Sequence, residues 1–175
     1  LGSGKGEFAR KVKKWQFKQD RMKAAPHSDV IILHCNDPEN PSENDYVICA
    51  EAKSKALKNN TYRPIANAIK GYEADKTGRL ARTLSWLREK AIENEDAESI
   101  AFVERFTKSN LGTSFRKNYR AVVVIDRALL DAELVEKLHI PPQNEEFEVV
   151  VLGVDDLKPL YETCFSRAVS ELENG

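Results

Sequence analysis

The chain has 175 residues, 41% of them hydrophobic and 31% charged, with a net charge of −1 and a mean hydropathy of −0.52. These values fit one packed domain over residues 1–175 and exclude a disordered chain. The longest apolar runs, at 121–125 and 149–152, are far short of the ~20 residues that span a bilayer. No apolar segment follows the basic N-terminus, so neither a membrane span nor a signal peptide is expected. The three cysteines, Cys35, Cys49 and Cys164, have no paired spacing. That argues against a disulfide framework or a zinc site and favours a reducing cytoplasm. The near-neutral total hides an asymmetry. Residues 1–90 carry 18 Lys and Arg against 11 Asp and Glu, whereas residues 91–175 carry 9 against 17. A basic first half suggests a surface that faces a polyanion.

In chain order, residues 4–23 read as a helix. Phe8, Val12, Trp15 and Met22 recur near helical spacing, with Lys11, Lys14, Lys18 and Arg21 on the other face. Pro26 ends it. Residues 28–35 (SDVIILHC) and 46–53 (YVICAEAK) read as strands, joined by a polar loop at 37–45 that is dense in turn formers. Together they predict a β-hairpin. Residues 61–94 are mostly helical, with Pro64 in a first turn and Gly71 and Gly78 as breaks or close-packing points. A short helix at 96–107 and a loop at 109–114 follow. Residues 119–125 (YRAVVVI) form an unbroken apolar strand, as expected when both sheet faces are covered. A helix at 128–138 leads to Pro141–Pro142. A strand at 147–154 and a helix at 156–173, capped by Asp155, complete the chain. The order predicts an α/β fold: a mixed sheet with an antiparallel hairpin at one side and helical crossovers at the other.

The hairpin carries charge where strands are normally apolar. Residues two apart on a strand share a face, so Glu51 and Lys53 point the same way. Paired positions in an antiparallel hairpin have a constant sum, and a turn centred near residue 41 sets Asp29 opposite Glu51. Two carboxylates and an ammonium therefore converge. Charges flanked by VIIL and YVICA are expensive to bury unpaired. Either a structural salt bridge neutralises them, or a divalent cation sits on the carboxylates with the lysine beside a bound substrate. Mg²⁺ suits a sparse carboxylate site that leaves room for water and phosphate oxygens.

This arrangement resembles the PD-(D/E)XK nuclease superfamily, whose signature is an acid on one hairpin strand and (D/E)-x-K on the next. The matching residues are Asp29 and Glu51-Ala52-Lys53, although His27-Ser28, not a proline, precede the acid. The resemblance implies a restriction-endonuclease-like fold. It also implies Mg²⁺ (or Mn²⁺) held by Asp29, Glu51 and the Ala52 carbonyl, with Lys53 assisting the attacking water. Glu7 stands where many members add an acid from the first helix. The longer string HSDVIILH … YVICAEAKSKA … RPIANAIKGYEADKTGRLARTLSWLREK is similar to the nuclease subunits of the Hachiman anti-phage defence system. That similarity covers about residues 4–110 and implies a helicase partner, a role in bacterial defence and a place in the C-terminal part of a longer protein. A non-catalytic nuclease-fold module that binds DNA or a helicase is the alternative.

Glu-x-Lys is too short to carry an assignment alone. Asp156-Leu157-Lys158 repeats its pattern, but Pro159 and the following residues place it at a helix start. Lys55, Lys58 and Arg63 follow the motif and, with Lys11, Lys14 and Lys18, are candidates for gripping DNA phosphates. Trp15 and Trp86 lie near apolar stripes and are read as core. His27 is read as a structural loop residue, and His34 lies on the strand face opposite Asp29. Cys35 and Cys49 are expected near one another across the hairpin. No sequence-reading module is visible, so DNA engagement should be backbone-directed and salt-sensitive. The sequence indicates neither strandedness nor oligomeric state.

Overall fold

The computed structural model describes residues 9–13, 28–37, 40–107, 115–135, 140–142 and 146–173. Among them, strands β1 (Ala9–Lys13), β2 (Val30–His34), β3 (Tyr46–Lys55), β4 (Arg116–Asp126) and β5 (Phe147–Val154) form one sheet in sequential order. The pairs β1–β2 and β2–β3 are antiparallel, and β3–β4 and β4–β5 are parallel. The crossover from β3 to β4 runs through α1 (Pro64–Ala74), α2 (Leu80–Glu93) and α3 (Ala97–Thr107). The crossover from β4 to β5 runs through α4 (Arg127–Leu134), and α5 (Leu157–Glu173) closes the described chain. This is the expected α/β mixed sheet, hairpin side and crossover side included. Among the described residues, no helix is long and apolar enough to cross a membrane.

The core lies between the sheet and α1–α3. Ile31, Leu33, Val47, Cys49, Tyr119, Ala121, Val123 and Ile125 face Ile65, Ala68, Ile69, Tyr72, Leu80 and Leu84. Strand alternation produces this face: the odd-numbered residues of β2, β3 and the second half of β4 all point to the helices. Tyr72 stacks on Phe147 at 4.0 Å between centroids and meets Tyr119 edge-on at 5.5 Å, which ties α1 to the crossover strands. Trp86 packs partly buried against this core, as expected.

Several expectations change. Residues 9–13 are an edge strand, not part of a helix spanning 4–23, and the rest of that segment lies outside the described residues. Arg10 explains the difference. From β1 it reaches Glu98 and Ser99 on α3, with its guanidinium 4.6 Å over the Phe102 ring. Contacts with a helix about ninety residues away override the local pattern of spacing. Pairing with β2 supplies the backbone partners. The cap of α5 also differs: Asp126 Oδ2 accepts from Leu157 N at 3.0 Å, while Oδ1 caps α4 through Ala128 N at 3.0 Å. Asp155 pairs instead with Arg127. Cys35 and Cys49 do not meet across the hairpin. Cys49 lies opposite Ile31, Cys35 falls beyond the ladder, and all three cysteines are free. His34 stacks on Tyr46 with centroids 4.4 Å apart. The loop expected at 109–114 lies outside the described residues.

One buried ion pair pins the hairpin loop to α3. The Asp45 carboxylate accepts from Asn36 N at 2.8 Å, Ser42 N at 3.1 Å and Arg105 Nε at 2.8 Å. Burial raises the Asp45 pKa, but the hydrogen bonds from Arg105 and the two amides outweigh it and hold the carboxyl below its ordinary value. A carboxyl with a depressed pKa stabilises the fold above its unfolded-state pKa, ~3.9, and loses that contribution as pH falls through the folded value. Asp45→Asn should therefore destabilise the protein at pH 7 by about 3–5 kcal/mol, because Arg105 is left buried without its counter-charge. The gap between wild type and variant should narrow below ~pH 4, read as melting temperatures from pH 7 to pH 3. A gap that stays constant across that range would contradict the assignment.

Candidate active site

The hairpin register has the constant sum inferred from its turn: Val30 pairs with Ala50 and Ile31 with Cys49. One step beyond the ladder, Asp29 stands opposite Glu51, and its Oδ2 accepts from Ala52 N at 3.1 Å. Lys53 follows Glu51 on the same face of β3. Its ammonium touches Glu51 Oε1 and lies 3.3 Å from the Ala52 carbonyl oxygen and 3.7 Å from Asp29 Oδ2. The three residues singled out by their spacing are therefore together, and the Ala52 carbonyl is with them. Glu51 is buried, while Asp29 and Lys53 retain side-chain exposures of 22% and 26%.

The face of β3 that carries Glu51 is covered by α1 at Gly71. A Cβ at Gly71 would lie 2.3 Å from Glu51 Cγ and 2.4 Å from Cδ, so the Glu51 side chain occupies the space that any other residue would fill. One turn along, a π turn at Asp75–Arg79 carries a kink where α1 gives way to α2, and Gly78 there takes the non-helical φ 155° and ψ −12°. That backbone conformation is open to glycine at little cost and to other residues only with strain. The π turn aims Arg79 back at the sheet. Arg79 Nη2 donates to Glu51 Oε2 at 2.5 Å and to the Gly71 carbonyl at 2.8 Å, while its Nε donates to Asp75 Oδ1 at 2.5 Å. Asp75 is 1% exposed and also accepts from Ser28 Oγ at 2.6 Å. Ser28, immediately before Asp29, is itself buried, and its amide donates to Thr83 Oγ1 at 3.4 Å.

Arg79, Asp75, Gly71 and Ser28 are thus site residues that spacing on the strands did not reveal. The available signal was an acid and an arginine four apart around Gly78, the two residues that pair in the π turn. Burial would lower the pKa of Lys53, but the hydrogen bond and charge of Glu51, with Asp29, more than offset it and hold it above its ordinary value. Arg79 behaves alike: burial would lower its pKa, but Asp75 and Glu51 more than offset this and hold it above its ordinary value. Both remain cations at neutral pH.

The other candidates are placed differently. Lys55 does share the strand face of Lys53, but it is 7% exposed and is not displayed for phosphate. Its ammonium donates to Glu133 at 2.5 Å and to the Tyr62 carbonyl at 2.9 Å, anchoring α4 to β3. Arg63 lies 3.4 Å from the same Glu133. Lys58 is exposed in the loop after β3, and Lys11 is exposed on β1. Glu7, Lys14 and Lys18 lie outside the described residues, as do His27 and Trp15.

Chemically, Asp29 Oδ2, Glu51 Oε1 and the Ala52 carbonyl are hard oxygen donors gathered round the single point that the Lys53 ammonium fills. Such a donor set suits a divalent cation that keeps several waters, once the ammonium swings aside. Among the described residues no group of three His, Cys, Asp or Glu side chains is arranged to hold a metal, so any cation here would rest on two carboxylates and a carbonyl. No curated protein and no solved structure matches the chain. The HamA family model matches residues 6–168, which takes in every described strand and most of α5. The chain belongs to the HamA family, component A of the Hachiman defence system, which also includes a helicase.

Proposed function

We propose that this chain is a Mg²⁺-dependent DNA endonuclease with a PD-(D/E)XK-type site, for which Mn²⁺ can substitute. It would hydrolyse phosphodiester bonds in anti-phage defence, with cutting licensed by the helicase of the system. The observation that carries this reading is the convergence of Asp29, Glu51, the Ala52 carbonyl and Lys53 at the open end of one hairpin. Asp29, Glu51 and the Ala52 carbonyl would hold the ion, which when bound would offset charge on the scissile phosphate and favour ionisation of the attacking water.

The rest of the work falls to the chain. Lys53 is kept protonated by its two acidic neighbours, so it serves as a hydrogen-bond donor and fixed positive charge, not as a base. It would orient the water or oppose the charge that builds on phosphorus. Arg79 is a positioning residue: it fixes the outer Glu51 oxygen and leaves Oε1 directed at Lys53. Asp29 is held by the Ala52 amide, which fixes its reach relative to Glu51. The double pairing of Glu51 is also what favours the alternative, a non-catalytic module in which these charges only stabilise the hairpin. The two readings part on turnover.

Supercoiled plasmid incubated with Mg²⁺, with and without the helicase, should be nicked by the wild type and protected by EDTA. Glu51→Gln and Lys53→Ala should each lower the nicking rate by about 10²-fold or more while keeping the circular dichroism spectrum of the wild type. Absence of nicking in the wild type under both conditions would leave the module reading. Gly71→Ala tests the packing behind Glu51. The added methyl must push the Glu51 side chain away from its place, so nicking should fall as far as in Glu51→Gln although no charge has changed. Wild-type nicking in Gly71→Ala would show that the position of Glu51 does not matter.

A further inference from the structure

A crevice runs along the first half of β4, between Lys76 on the π turn and Glu146 beside the start of β5, and encloses about 800 Å³. It continues into a recess of about 240 Å³ beneath the start of α2, with Lys76, Phe115, Lys117 and Tyr119 lining both. Lys76, Arg116 and Lys117 are exposed, and none of them is paired with a carboxylate among the described residues. This contrasts with Lys55 and Arg63, which are tied to Glu133. Lys117 lies 5.3 Å over the Phe115 ring, so charge and aromatic surface occupy the same wall. Asp75 lines the recess, and its Oδ2 is buried with no hydrogen-bond partner.

These features select a ligand. Unpaired cations along a groove attract a phosphate backbone, and an aromatic ring among them offers a stacking platform for bases of any identity. The recess has room for one planar base and none for a duplex. We infer that the crevice binds single-stranded nucleic acid, with phosphates on Lys76, Arg116 and Lys117 and one unpaired base at Phe115 in the recess. This inference deepens the endonuclease reading by naming the strand state of the substrate.

Fluorescence anisotropy in EDTA separates binding from cutting. The full chain should bind labelled oligo-dA or oligo-rA at least tenfold tighter than a hairpin duplex. Arg116→Glu/Lys117→Glu should weaken that binding by at least tenfold and flatten the dependence of log affinity on log salt by roughly 1.4, as expected for two lost phosphate contacts. Phe115→Ala should weaken it roughly five- to a hundredfold with the salt slope unchanged. Equal affinity for the duplex, or unchanged affinity in the double variant, would overturn the inference. So would dAMP binding as tightly as oligo-dA, which would point to a free-nucleotide site. Single-strand binding without plasmid nicking would defeat the endonuclease reading alone. Nicking and strand binding unaffected by Arg116→Glu/Lys117→Glu would defeat this inference alone.

Discussion

Arg79 reaches two carboxylates at once, Glu51 on β3 and Asp75 on its own π turn, and both acids are nearly inaccessible to water. Burying either carboxylate there without a partner would cost several kcal/mol of desolvation. The guanidinium answers both through separate nitrogens and spends its remaining reach on the Gly71 carbonyl. Its fork geometry is what permits this; a lysine at the same position would offer a point charge to one acid at a time. The sheet face, α1 and the π turn are therefore bound together by one cation.

The backbone bends to allow it. Glu51 fits only because Gly71 lacks a side chain, and Arg79 follows a kink at which Gly78 leaves helical geometry. Both glycines cost helix stability relative to alanine, and neither forms a conventional turn or cap. A local rule broken twice within eight residues, beside a buried charged cluster, is what is expected where packing serves a site rather than the fold alone. Ser28 extends the same network to the residue before Asp29. The acid at the mouth of the hairpin and the acid in the helix are thus braced by one chain of hydrogen bonds.

The legible part of this arrangement was the part governed by short-range geometry. The positions of Asp29, Glu51 and Lys53 follow from strand alternation and from the constant sum of a hairpin, and both rules operate within about twenty-five residues. Gly71 and Gly78 were marked as breaks or close-packing points, because glycine in a helix interior needs a reason; the structure makes Gly71 the close approach and Gly78 the break. What stayed hidden depended on distant partners. Residues 9–13 carry two apolar side chains, Ala9 and Val12, too few to distinguish an edge strand from a helix; β2 and the contact of Arg10 with α3 decide it. Lys55 looked like a phosphate ligand because Glu133, on a helix that begins some seventy residues later, does not appear in any local pattern. The inward aim of Arg79 and Asp75 stayed hidden because helical periodicity does not say where side chains point once the backbone leaves helical geometry at Gly78.

The charge balance of the cluster links its structure to its proposed chemistry. Among the described residues, Asp29, Glu51 and Asp75 bring three negative charges to a region where Lys53 and Arg79 bring two positive ones. One negative charge is left over, at the end of the hairpin that remains partly open to solvent. A phosphodiester approaching that opening alone meets net repulsion in a region of low dielectric, where such terms are poorly screened. A small cation meets the reverse, and it finds three oxygens already oriented by backbone and guanidinium contacts. Under the proposed chemistry Lys53 would have a double use: it sits among these oxygens in the isolated chain, and moved aside it would offer a positive charge beside the phosphate. The lysine paired with Glu51 is then the group that any cation held by these oxygens would have to displace.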